Sequence, residues 1–221
     1  MAVKSESIVQ ALLDRFGRTY AEQAGIRLAD KPSPLYQLLV LATLLSARIS
    51  ADVAVAAAKE LFAAGYRTPQ RMRQATWQAR VDALVRGHYR RYDERTSTML
   101  AEAAELLLDR WHGDLRRLRA EAGGNPEQNR ELLIEFKGIG PVGADIFLRE
   151  AQAVWPDIAP YVDGRVAEGA KKVGLPSSAR ALSGLVESPR ELARLASALV
   201  HVSRSSRAAD EIKQAGNQPA K

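Results

Sequence analysis

Apolar positions recur with the helical period along almost the whole chain. Ile8, Val9, Leu12, Leu13, Phe16 and Tyr20 make one stripe of a first helix. Pro34 opens a second, very apolar helix over 35–47, which reads as the core helix. Ser50 is an N-cap for a third helix, with Asp52 in its first turn and Gly65 beyond its end. Thr68-Pro69 opens a short helix, and Thr76 opens another that ends at Gly87. A long helix is predicted over 93–111, with Leu100, Ala103, Ala104, Leu107 and Leu108 on one face and Gly113 as its stop. Asn125-Pro126-Glu127 starts a helix through Phe136, and another runs from Pro141 to about Val154. Residues 155–162 read as extended, Asp163 caps a helix to Val173, and Ser188-Pro189 starts one to about Val202.

Strand alternation is absent, so the predicted fold class is all-α, with ten or so short helices. The polar tail from Ser203 is expected to be disordered. Composition narrows the chemistry. The 221 residues contain no cysteine, which excludes disulfides, thiolate zinc sites and Cys-ligated iron–sulfur clusters. Three scattered histidines argue against a His-based metal site, so no metal is expected. With 32 basic against 26 acidic residues the formal charge is +6, which leans towards a polyanionic partner. The first residues carry both signs of charge with no apolar run after them, so no secretory signal is expected. The stretch 35–47 is interrupted by Gln37, Thr43 and Ser46 and falls short of the ~20 residues a membrane span needs. A cytoplasmic protein without a membrane partner, nucleoid-associated if bacterial, is the expectation.

The most informative segment is 132–147, read as helix, four-residue turn, helix. Gly138 and Gly140 allow a sharp turn with positive φ, and Ile139 between them would pin that turn to the body. Pro141 suits the first position of the next helix, whose Val142 and Gly143 N–H groups would face outward as a phosphate site. An ordinary inter-helix connection with a glycine C-cap fits the same residues. Asp163, 23 residues after Gly140, is likewise either a plain helix cap or a carboxylate facing the hairpin.

Three motifs in order carry a family resemblance. Phe136-Lys137-Gly138-Ile139-Gly140-Pro141-Val142-Gly143-Ala144 is similar to L-x-G-[IV]-G-x-x-[TGS]-A, and Val162-Asp163-Gly164-Arg165-Val166 to the V-D-[TG]-x-[IV] that follows it. The run from Leu44 to Val53 resembles L-L-S-x-Q-x-x-D-x-x-V, and 155–159 resembles the approach to the family's aspartate. Over about 34–173 the chain therefore resembles the helix–hairpin–helix (HhH-GPD) base-excision DNA glycosylases, the superfamily of endonuclease III and the adenine-mismatch glycosylases. The resemblance implies two helical lobes with a cleft between them. One lobe would span about 34–130 with the hairpin region at 131–154; the other would combine 1–30 and 155–202, leaving 203–221 as a flexible tail.

The resemblance also implies a reaction. A damaged or mismatched base in double-stranded DNA is flipped out and its N-glycosidic bond broken, with Asp163 stabilising the positive charge that builds on the sugar. Relatives that also cut the strand carry a lysine where Val142 stands, so a monofunctional enzyme leaving an abasic site is implied. Lys137 reads as a phosphate contact or as a displaced nucleophile for a bifunctional glycosylase/lyase. A non-catalytic lesion- or structure-specific DNA-binding protein is the third reading. Lys137, Gly138, Ile139, Gly140, Val142 and Gly143 would hold the DNA backbone. Arg48, standing at a gap-filling glutamine's place, is an orphan-base candidate or a helix-end residue paired with Asp52. His88 and Tyr89 correspond to a wedge loop, and Arg90, Arg91, Arg95 and Arg165 are phosphate-contact candidates. Trp77, Trp111 and Trp155 fit core packing, and Asp145 a hydrogen bond within its lobe. The implied enzyme is a monomer needing no iron–sulfur cluster and no cofactor beyond a monovalent cation at the hairpin.

Overall fold

The computed structural model describes residues 2–216, with side chains from residue 5. These residues form helices only; no strand occurs among them. In chain order the helices are α1 (Ala2–Phe16), α2 (Tyr20–Gln23), α3 (Pro32–Leu45), α4 (Ala51–Ala63), α5 (Pro69–Gln74), α6 (Trp77–Arg86), α7 (Asp93–Trp111), α8 (Leu115–Glu121), α9 (Pro126–Ile134), α10 (Pro141–Ala151), α11 (Gly164–Val173), α12 (Ala179–Ser183), α13 (Pro189–Arg204) and α14 (Ser206–Ala215). None is long and apolar enough to cross a membrane. The all-α expectation holds.

The chain divides into two compact units, residues 20–148 and residues 1–19 with 149–221. The change of unit falls within α10 rather than in a loop.

The first unit is built on α3. Leu35, Tyr36, Leu38, Leu39, Val40, Leu41, Ala42, Thr43 and Leu44 are all buried, so the helix is covered on every side. A helix apolar all round has no solvent face to offer and becomes the centre of its bundle. Around it, local chemistry sets the helix starts. The side chains of Ser50, Thr68, Thr76 and Asn125 each accept from the amide three residues on. α7 stops where His112 and Gly113 turn left-handed, at φ 54° and 81°. Arg80 is buried in this unit without a carboxylate partner among the described residues. It donates to the carbonyls of Met72, Ala75 and Ser97, two of them at the C-terminal end of α5, where a cation is favoured.

The second unit packs α13 against α1, α11 and α14. Leu12, Val166, Ala170, Leu195, Leu199 and Val202 are fully buried in its core. Gly169 lets α11 lie directly on the α13 backbone, since a Cβ there would overlap the Leu199 carbonyl.

The expected disordered tail is corrected here. Residues 206–215 form α14, capped by Ser205, with Ala208, Ala209 and Ile212 buried against the unit's core. Alanine is a weak apolar signal, so this stripe is hidden in a polar sequence. Residues 217–221 lie outside the described residues. α8 and α12 also go beyond the predicted elements, and α10 ends at Ala151 rather than near Val154.

Candidate nucleic-acid interface

In the first unit, the hairpin between α9 and α10 is anchored from below. Phe136 is buried and stacks on Trp111, ring centroids 5.5 Å apart. Arg110 bridges Glu135 and Glu121, tying the end of α9 to α8. Ile139 is 4% exposed, so it pins the turn to the body as its apolar character predicts. Gly138 takes φ +89°, and a Cβ there would also sit 2.9 Å from the Thr43 methyl group. Gly140 does not share the positive φ expected of it; one left-handed residue suffices for this turn. Gly143 is buried beside Ser46, whose Oγ a Cβ would overlap.

The outer side of the turn is open. Val142 is 60% exposed, and Lys137 is exposed with no ion pair among the described residues. The amides of Val142 and Gly143 take no hydrogen bond within the described residues, as the first turn of α10 requires.

Next to the hairpin lies a groove of about 380 Å³. Arg48, Tyr92, Arg95, Thr96, Met99 and Gly138 are among its lining residues. Arg48 makes no ion pair among the described residues, and the alternative contact with Asp52 is not formed. Arg90, Arg91 and Arg95 are exposed and also lack acidic partners there, Arg91 lying over the Tyr92 ring at 5.3 Å. Elsewhere arginines are commonly paired, as in Arg86 with Glu60, Arg116 with Asp114 and Arg119 with Asp30. Arg48, Arg90, Arg91, Arg95 and Lys137 thus put five cations without an acidic partner among the described residues on and beside the hairpin, a local charge suited to a polyanion.

Two aromatic expectations fail. Tyr89 is 1% exposed, its hydroxyl accepting from Thr96 Oγ1, so it is a floor residue and not a wedge. Burial pushes its phenol pKa up. The loop is drawn inward because Gly87 packs directly on the backbone of Ala57, and Tyr89 N–H donates to the Leu84 carbonyl. His88, exposed at φ 63°, is the wedge-loop side chain that faces solvent. Trp77 is 42% exposed and donates to Thr98 Oγ1, whereas Trp111 and Trp155 are core residues. Asp145 accepts from Arg130 Nε at 2.8 Å, inside its own unit.

In the second unit, Asp163 is the N-cap of α11, accepting through Oδ1 from the amides of Arg165 at 2.8 Å and Val166 at 3.2 Å. Arg149 is the buried partner of Asp163. Its Nε and Nη2 both reach Oδ2, at 2.7 and 2.6 Å, and each side chain is only 5% exposed. Arg165 itself points elsewhere, pairing with Glu168.

A residue that sequence reasoning missed holds this arrangement in register. Gln152 is fully buried, donates to the Arg149 and Tyr161 carbonyls and accepts from the Tyr161 amide. It pairs the segment leading to Asp163 with the end of α10 as a neighbouring strand would. The available signal was a cluster of polar residues, Arg149, Glu150 and Gln152, continuing an apolar helix face: such groups are buried only with partners. No group of three or more His, Asp or Glu able to hold a metal ion occurs among the described residues.

No protein-family model matches the chain, and no curated protein matches it. Four chains of solved structures match it, among them two endonuclease III–DNA complexes. One is a non-covalent endonuclease III–DNA complex, with a TM-score of 0.50. The other is a trapped covalent endonuclease III–DNA intermediate with an estranged adenine, with a TM-score of 0.49. Each is 16% identical, and the alignment covers 88% of this chain and 84% of the other. At that identity the first of the two establishes a common fold, so this chain has the fold of endonuclease III.

Proposed function

We propose that this protein is a monofunctional DNA glycosylase of base excision repair. It binds duplex DNA through the hairpin and its neighbouring cations, takes up a flipped damaged or mismatched base, and hydrolyses the N-glycosidic bond. The observation that carries the reading is that a chain with the endonuclease III fold has an open hairpin in one unit and, in the other, an aspartate at the N-cap of α11.

Each part has a physical task. The outward amides of Val142 and Gly143 and the unpaired Lys137, Arg90, Arg91 and Arg95 supply sequence-independent phosphate contacts. Arg48 and His88 are the exposed side chains for the gap and the wedge. Breaking the glycosidic bond builds positive charge on the sugar, and Asp163 lowers that barrier electrostatically. Val142 offers no amine for a Schiff base, so water adds to the sugar carbon as the base leaves, and an abasic site remains in the strand. The absence of cysteine is consistent with a glycosylase that works without an iron–sulfur cluster.

One observation favours the third reading, a lesion- or structure-specific DNA-binding protein without turnover: the Asp163 charge is already met by Arg149. A lesion panel of duplexes separates the two. Wild type and Asp163→Asn are incubated with each duplex under single-turnover conditions, and alkali then reveals abasic sites. Base release lost in Asp163→Asn supports the glycosylase. Lesion-selective binding without any release supports the binding protein.

A further inference from the structure

The Asp163 carboxylate is completely hydrogen-bonded. A carboxylate offers about four lone-pair positions. The amides of Arg165 and Val166 take two on Oδ1, and Nε and Nη2 of Arg149 take two on Oδ2. At 5% exposure of each side chain, solvent has little access to either oxygen. Nothing is left to accept a proton from an attacking water. Nor can the carboxylate rotate without breaking four bonds at once.

We propose that Arg149 is a positioning residue for Asp163. It locks the carboxylate in one orientation away from water, so that Asp163 acts on the reacting sugar through the fixed dipole of this ion pair and not as a base. The inference rests on the glycosylase reading above. Arg149 itself has no contact with the reacting atoms in this scheme. Gln152 supports the lock from behind by holding the Arg149 carbonyl and the Tyr161 peptide.

The direction of the effect follows from desolvation. Without the guanidinium, a carboxylate this buried keeps only its two amides. Such a group swings out to water, and its contribution at the sugar is lost. Lysine restores a cation but not the two-pronged geometry that fixes Oδ2.

The test uses the full chain and the lesion duplex that the wild type excises fastest. Single-turnover base release is measured with affinity for the same duplex and the thermal midpoint. Arg149→Ala is expected to slow release by about 100-fold with affinity nearly unchanged, and Arg149→Lys by about tenfold. Millimolar methylguanidinium restores about tenfold to Arg149→Ala and nothing to Asp163→Asn. The double variant is no slower than Asp163→Asn, as expected of residues acting as one unit. A wild-type rate in Arg149→Ala overturns the proposal. So does a loss that neither lysine nor methylguanidinium repairs, since that marks a purely structural role. Should Arg149→Ala not fold, Arg149→Lys decides. A reduced rate at unchanged midpoint and affinity supports the proposal; an unchanged rate overturns it. If the wild type releases no base from any duplex, the glycosylase reading fails and the inference falls with it. Release that is indifferent to Arg149 removes the inference alone.

Discussion

Gly143 lies so close to Ser46 that only a hydrogen fits between the α10 backbone and the serine hydroxyl. Ser46 Oγ is itself held by the Ala42 carbonyl at 2.6 Å, so it cannot swing aside freely. Gly143→Ala is therefore expected to destabilise the protein by about 1–3 kcal/mol through overpacking. It should also weaken DNA binding, because the first turn of α10 moves. Ser46→Ala removes the obstructing atom. Urea unfolding and duplex affinity of the double variant should return most of the way to wild type.

Val142 is the residue whose side chain decides the chemistry after base release in the proposed mechanism. It is 60% exposed, so Val142→Lys should change stability by no more than about 0.5 kcal/mol. Borohydride is expected to trap a covalent protein–DNA adduct with Val142→Lys and none with the wild type. Trapping with the wild type would identify another amine, Lys137 first, as a nucleophile.

Lys137 and Arg91 are exposed and unpaired, so their contribution to DNA binding should be mainly electrostatic. Each neutralising change, Lys137→Gln or Arg91→Gln, should lower the slope of log affinity against log salt by about one. Lesion selectivity should not change. Fluorescence anisotropy over a salt series on lesion and plain duplexes measures both.

Tyr36 is 1% exposed in α3, and its hydroxyl has no hydrogen-bond partner among the described residues. Tyr36→Phe should therefore leave stability unchanged or raise it by up to about 1 kcal/mol at neutral pH. Burial pushes the Tyr36 phenol far above the usual tyrosine range, against the weaker opposing pull of the nearby Arg80 charge. Above a pH of about 10 the unfolded chain loses that proton while the folded one keeps it. Stability should fall as pH rises past that point. Tyr36→Phe should flatten the decline, and urea midpoints between neutral and alkaline pH read it directly.

Gln152 satisfies three backbone groups from a fully buried position. Gln152→Leu keeps the volume but strands those groups, and a loss of about 3 kcal/mol is expected. Calorimetry checks the stability. The same variant should slow base release beyond its effect on folding, because the segment carrying Asp163 loses its bracket.

Much of this molecule is legible from residues close together in the chain. The caps at Ser50, Thr68, Thr76, Asn125, Asp163 and Ser188 each bind an amide two or three residues on, so they act wherever the fold puts them. The covered helix α3 is announced by its strongly apolar composition, and the hairpin by Gly138, Ile139 and Pro141 within four residues. All of these depend on local dihedral preference and local hydrogen bonding, which the order of residues states directly.

What surrounds the caps is decided elsewhere. Arg149 and Asp163 are 14 residues apart, and only the reversal of the chain between α10 and α11 brings them together. Tyr89 and His88 are neighbours of similar promise as wedges. Close packing of Gly87 on α4 turns one inward and leaves the other outside. α14 becomes a helix of the core because α1 and α13 offer its small alanine stripe a surface to cover. The sequence alone determined an all-helical chain, the starts of the capped helices it could read, the hairpin and the capping aspartate. The tertiary structure alone decided which polar groups are buried and with whom, because burial and pairing are properties of surfaces that exist only after distant segments have packed.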